Sequence, residues 1–117
     1  MFKRKKQSET SLSKEDSFDF DSLFLNVIKA IKEGNYALAR DLIKNSLSHD
    51  IENPEFYNLL GLSYELEGGR LKAAKYYRIS YYLNQAFTPA IENLHRVSDF
   101  WYVKPSNVSW GNDFKEP

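Results

Sequence analysis

The chain of 117 residues is long enough for one domain, and its 42% of hydrophobic residues, with eight Tyr and eight Phe, is typical of a folded protein. Its formal net charge of zero argues against a dedicated nucleic-acid binder, and the lack of cysteine excludes disulfides, a thiolate nucleophile and a cysteine-based zinc site. No apolar run approaches the roughly 20 residues of a membrane helix. The basic start is not followed by the apolar segment of a signal peptide, so no signal peptide is expected. We therefore expect a cytoplasmic protein.

The first 18 residues are polar, with a basic run from Lys3 to Lys6 and an acidic pair at Glu15 and Asp16. With so little apolar surface, residues 1–18 are predicted to form a disordered arm. Such an arm has two interpretations: weak, salt-sensitive attraction to anionic lipid or nucleic acid, or an ordinary solubilising tail. A run of four basic residues favours the solubilising tail.

Residues 19–104 are expected to form a helical domain. Its third and fifth helices begin at the same signal, a polar residue followed by proline in the first turn, at Asn53-Pro54 and Thr88-Pro89. Gly68-Gly69 indicates the stop and turn between the third and fourth helices, and Pro105 ends the last helix. The five predicted helices lie near residues 19–33, 36–48, 54–67, 70–84 and 89–103.

Apolar residues at helical spacing predict which faces are buried. In the fourth helix they include Leu71, Ala74 and Tyr77, and in the fifth they run from Ile91 to Trp101, which suggests that this helix caps the stack. The tail, residues 105–117, carries two large aromatic residues. We expect Trp110 or Phe114 to dock over the tyrosines of the fourth helix, and the alternative is a flexible recognition motif. Those tyrosines are Tyr76, Tyr77, Tyr81 and Tyr82.

Residues 53–90 contain one ordered set of aromatic, glycine and small residues: Tyr57, Leu60-Gly61, Tyr64, Gly68, Ala73, Tyr77 and Ser80. With this set the segment resembles one tetratricopeptide repeat, a helical hairpin of about 34 residues. The chain departs from the family's pattern at Gln85, where proline usually closes the repeat. A weaker second copy lies upstream, and glycine recurs after 34 residues, at Gly34 and Gly68. The first helix of this copy has Asn26-Val27 where the family has a Leu-Gly pair.

The resemblance implies an all-α, right-handed solenoid of two helical hairpins and a capping helix. It also implies that the first helices of successive repeats line a concave groove that holds a partner's peptide segment. A clamp for a terminal carboxylate is not expected, because three acidic residues lie among the candidates. The positions carried over to the groove are Phe24, Ile28, Lys32, Asn58, Leu62, Glu65, Glu92, Arg96 and Asp99. Of these, Phe24, Ile28 and Leu62 are expected to be exposed beside Lys32 and Arg96, which would suit an apolar peptide with an acidic group.

No arrangement of residues indicates catalysis. His49 and His95 are far apart in the sequence, and neither has a partner at metal-ligand spacing. We therefore expect no enzymatic activity, no metal and no cofactor. The predicted function is a protein–protein interaction module, an adaptor or accessory subunit. The alternative is a structural subunit that self-assembles through the solenoid ends or the tyrosine-rich face. We expect no specific nucleic acid and no membrane as partner.

Overall fold

This computed structural model describes residues 18–111, which form five helices joined by short turns and a non-helical stretch, residues 99–111, after the last helix. The all-α prediction is confirmed, and residues 18–111 contain no strand. No helix in this range has the length and apolar character needed to span a bilayer. The predicted disorder of residues 1–17, and Phe114, lie outside the described residues. The helices are α1 (Phe20–Lys32), α2 (Tyr36–His49), α3 (Pro54–Leu66), α4 (Arg70–Leu83) and α5 (Thr88–Ser98).

Local signals in the sequence account for the helix ends. Asn53 accepts a hydrogen bond from the Glu55 backbone at the start of α3, with Pro54 in the first turn. The two turns inside the hairpins use glycine with positive φ, +77° at Gly34 and +103° at Gly68. Each turn closes with the paired backbone hydrogen bonds of a Schellman motif. The turn predicted at Gly68-Gly69 is therefore confirmed, and Gly34 forms its counterpart.

Consecutive helices pack against one another, and α1 also contacts α3. The core between them is aliphatic and aromatic, and α3 contributes buried side chains on several sides. Ser80 of α4 donates a hydrogen bond to the Pro54 carbonyl at 2.7 Å, which ties the far end of α4 to the start of α3. The buried core residues include Val27, Ile31, Ala39, Ile43, Phe56, Leu59, Leu62, Ala73, Tyr77, Val97 and Trp110.

Gly61 allows a close approach between α3 and the Tyr77 ring of α4. A Cβ atom at this position would lie 2.4 Å from Cε1 and 2.5 Å from Cδ1 of the Tyr77 ring, inside van der Waals contact. The Tyr77 ring is fully buried, and its hydroxyl is held by Glu65 at 2.7 Å. The Leu-Gly pair of the repeat pattern thus has a steric reason here, because only glycine leaves room for the ring.

The fifth helix is shorter than predicted. It ends at Ser98 rather than near residue 103, because Asp99 takes an extended conformation and its carboxylate accepts a hydrogen bond from the Trp101 backbone. The Arg70 guanidinium donates to the carbonyls of Val97 and Asp99, which satisfies acceptors at the helix end. The predicted core position of Trp101 is consequently wrong, because this residue lies beyond α5 and is 80% exposed. That of Leu71 on α4 is also wrong, since its side chain is 85% exposed.

Candidate functional site

Residues 107–111, the C-terminal segment, lie across a surface formed by α1, α3 and α5. We call this surface the inner face. Six of its side chains contact the C-terminal segment: Phe24 and Lys32 of α1, Asn58 of α3, and Glu92, Asn93 and Arg96 of α5. The segment is neither helix nor strand, so its backbone groups depend on other partners for their hydrogen bonds.

Two buried asparagines supply those partners. Asn93 binds both backbone groups of Ser109: its Nδ2 donates to the Ser109 carbonyl at 2.8 Å, and its Oδ1 accepts from the Ser109 N–H at 2.9 Å. Asn58 Nδ2 donates to the carbonyls of Ser109 at 2.9 Å and Trp110 at 3.3 Å. The two amides are joined by a hydrogen bond of 2.8 Å from Asn93 Nδ2 to Asn58 Oδ1. Both side chains are fully buried, so this pairing satisfies amides that would otherwise be costly to bury.

Side chains of the C-terminal segment make a second set of contacts. The Ser109 hydroxyl donates to the Glu92 carboxylate at 2.5 Å. The Trp110 ring is only 8% exposed and belongs to the hydrophobic core, and the Lys32 ammonium lies 5.5 Å from its centroid. At Gly111 a Cβ atom would lie 2.8 Å from Cζ of Phe24. The inner face therefore contacts both the backbone and the side chains of the segment.

A buried carboxylate beside the site holds α3, α4 and α5 together. Glu65 is 1% exposed and accepts from the Arg96 guanidinium through both of its oxygens, one of them at 2.9 Å. The hydroxyls of Tyr77 and Tyr102 also donate to Glu65, at 2.7 and 3.0 Å. Burial alone would lower the pKa of Arg96, but the hydrogen bonds and charge of Glu65 raise it. Three side chains therefore donate hydrogen bonds to Glu65, and Glu65 in turn favours the charged form of Arg96.

The hydrogen bonds to Glu65 make the free energy of unfolding depend on pH in the alkaline range. Burial, followed by the negative charge of Glu65, raises the pKa of Tyr102 from 10.0 to about 12. Burial and the same charge raise the pKa of Tyr77 well above its ordinary value. Because both pKa values are higher in the folded chain, their stabilising contribution is present below about pH 10. We expect the free energy of unfolding to fall as the pH rises from 10 towards 12, and to fall less steeply in Tyr102→Phe, as measured by urea titration at each pH.

Arg40→Gln serves as the control for that experiment, because Arg40 pairs with Glu67 rather than Glu65 and glutamine does not titrate. It should leave the slope unchanged. An equal slope in wild type and Tyr102→Phe would show that Tyr102 ionises as easily in the folded chain as in the unfolded one.

The structure brings five of the nine predicted groove residues to the C-terminal segment: Phe24, Lys32, Asn58, Glu92 and Arg96, whose Nη1 is 3.5 Å from the Asn107 carbonyl. The other four have different surroundings. Ile28 and Leu62 were expected to be exposed, which is wrong: they are 3% and 0% exposed in the core. Glu65 binds Arg96 internally, and Asp99 lies beyond the end of α5.

One residue of the site, Asn93, was missed. The signal was present in the spacing, because Pro54 and Pro89 are 35 residues apart and the same step leads from Asn58 to Asn93.

The expected position of Trp110, over the tyrosines of α4, was also wrong. It docks on the inner face, whereas Tyr81 and Tyr82 of α4 remain 39% and 80% exposed.

Within residues 18–111 no group of three or more His, Asp and Glu side chains is placed to hold a metal ion. The site that the structure does present is a surface that binds a short, non-helical stretch of polypeptide. Comparisons of the chain with protein-family models, curated proteins and solved structures returned no match.

Proposed function

We propose that this chain is a non-catalytic protein-interaction module, an adaptor or accessory subunit whose inner face binds a peptide segment of a partner. In this proposal the hairpins α1–α2 and α3–α4 stack in a right-handed, tetratricopeptide-like solenoid, with α5 as the capping helix. The observation that carries the proposal is the Asn58–Asn93 pair, which binds the backbone of a peptide segment from two different helices.

Backbone recognition of this kind suits a protein-binding surface. An asparagine amide that donates to a carbonyl and accepts from the N–H of the same residue binds any amino acid except proline equally well. Each such hydrogen bond contributes about 0.5–1.5 kcal/mol net, so selectivity has to come from neighbouring pockets for side chains. The inner face has both parts, since Glu92 and Lys32 contact the side chains of Ser109 and Trp110.

Self-assembly is the second candidate function, and exposed aromatic residues favour it. Phe100 and Trp101 pack edge to face, with ring centroids 5.1 Å apart, yet each is at least 80% exposed. Val103 beside them is 86% exposed. A cluster of large apolar side chains in water is typical of a contact surface, and this one follows the last helix, where another copy would continue a stack.

The proposed function is tested by panning a library of random peptides against the full chain. Wild type is compared with Trp110→Ala, which weakens the docking of the C-terminal segment, and with Trp110→Ala/Asn58→Leu/Asn93→Leu. Leucine has nearly the shape of asparagine but forms no hydrogen bond. We expect peptides enriched on Trp110→Ala to bind the triple variant at least tenfold more weakly, as measured by fluorescence anisotropy.

Asn26→Leu in the Trp110→Ala background is the matched control, because Asn26 is an exposed asparagine of α1. It should keep the affinity. Equal binding to the triple variant would contradict a site at the two asparagines. Failure to enrich any peptide, together with a sedimentation mass that rises with concentration and falls in Trp101→Glu, would instead support self-assembly.

A further inference from the structure

We propose that the inner face selects partner segments in which a hydroxyl residue is followed by a large aromatic residue, and that residues 107–111 are an internal copy of this ligand. The inference rests on the proposed function and specifies its ligand. The inner face has three subsites, which differ in chemistry. In this structure they are occupied by Ser109, Trp110 and Gly111.

The first subsite takes serine or threonine. Glu92 accepts the hydrogen bond from the Ser109 hydroxyl at 2.5 Å, a short distance typical of a hydroxyl bound to a carboxylate. An alanine at this position offers no donor, and an acidic residue would meet the Glu92 charge. A phosphorylated serine would be worse still, because it brings up to two negative charges to the same carboxylate. The subsite thus discriminates between the free hydroxyl and its phosphate ester.

The second subsite takes an aromatic ring. Trp110 buries all but 8% of its surface, and the Lys32 ammonium at 5.5 Å is within the range of a cation–π contact, which favours tryptophan over an aliphatic residue. This side chain buries more apolar surface than any other in the C-terminal segment, so it is expected to supply most of the affinity.

The third subsite favours glycine. Any side chain at the position of Gly111 would bring its Cβ to 2.8 Å from the Phe24 ring, so the ring would have to move. Since the contact is at the far end of the Phe24 side chain, the preference is for a small residue rather than an absolute requirement.

The internal copy competes with partner segments for the inner face. Residues 99–106 connect the C-terminal segment to the end of α5, and a short tether of this kind gives an effective concentration in the millimolar range. A partner's segment must displace the internal copy, so its apparent Kd equals the intrinsic Kd divided by the fraction of chains whose inner face is free. Releasing the internal copy should therefore strengthen binding in trans.

The test uses the full chain and a fluorescein-labelled peptide of residues 105–111, Pro-Ser-Asn-Val-Ser-Trp-Gly. Its Kd is measured by anisotropy for wild type, Trp110→Ala and Ser109→Pro. The proline variant keeps the tryptophan but removes the N–H that donates to Asn93, so it weakens the docking of the segment without truncating the Trp110 side chain. Circular dichroism confirms that each variant keeps its helices.

We expect both release variants to bind the peptide at least tenfold more tightly than wild type. Peptides with alanine in place of the tryptophan, or with a phosphate on the second serine, should bind them at least tenfold more weakly. Equal binding of these altered peptides would overturn the proposed selectivity. If neither release variant binds the peptide while random peptides still bind through the two asparagines, the internal-copy inference fails and the proposed function stands. If no peptide of any kind binds, both fail.

Discussion

Arg96→Leu is expected to destabilise the chain by about 3–5 kcal/mol, the usual cost of removing one partner from a buried ion pair. The Glu65 side chain has no exposed surface, and that of Arg96 is only 13% exposed, so the carboxylate left behind has no water to replace the guanidinium. The two tyrosine hydroxyls remain, but neither carries a positive charge. Urea unfolding followed by circular dichroism measures the loss.

Two controls separate this effect from the general cost of losing an arginine. Arg40 forms an ion pair with Glu67 that is far more exposed, at 21% and 48%, so Arg40→Leu should cost about 1 kcal/mol or less. The double variant Arg96→Leu/Glu65→Leu should lose less than the sum of the two single variants, since it leaves no unpaired buried charge. If Arg96→Leu were no more harmful than Arg40→Leu, the ion pair would not be stabilising the fold.

The hydrogen bonds that Glu65 accepts also connect the stability of the fold with the geometry of the candidate site. Arg96 belongs to α5, Tyr77 to α4, and Tyr102 to the connection that leads to the C-terminal segment. All three donate to one carboxylate of α3, so they fix α5 and this connection relative to α3. The distance between Asn58 and Asn93 depends on that arrangement.

Much of the fold was predictable because its signals are local. Prolines in the first turn, asparagine caps and glycines with positive φ act within a few residues, and these features placed the starts of α3 and α4 correctly. The end of α5 was not predictable in this way. It depends on Arg70, which is 27 residues before Val97 in the sequence and binds its carbonyl. No pattern within the helix itself reveals such a contact.

The candidate site was predictable only in part, because periodicity shows which side of a helix a residue occupies and not what covers it. The resemblance to the repeat family placed Phe24, Lys32 and Asn58 in the groove, and these three contact the C-terminal segment. It also placed Ile28 and Leu62 there as exposed residues, although both are buried. The docking of the C-terminal segment depends on contacts between residues about 50 positions apart, such as Asn58 and Ser109, which no local pattern records.

Gly61→Ala is expected to lower stability by about 2–3 kcal/mol, although the same change within a helix normally raises it by about 0.5–1 kcal/mol. The reversal has a steric cause, since the new methyl group would lie 2.4 Å from the Tyr77 ring. The ring has little freedom to move, because it is fully buried and Glu65 holds its hydroxyl. The free energy of unfolding and the melting temperature, both from circular dichroism, measure the change.

The identity of the clashing group is tested by repeating Gly61→Ala in a Tyr77→Leu background. Leucine removes the ring atoms that the methyl group would meet, so the alanine should there be neutral or stabilising, as its helix propensity alone predicts. The coupling free energy between the two positions should thus be about 2–4 kcal/mol, beyond the range in which distant sites add. A Gly61→Ala variant more stable than wild type would show that α3 and α4 are not in such close contact. In that case, room for the Tyr77 ring would not explain why glycine occupies the second position of the Leu-Gly pair.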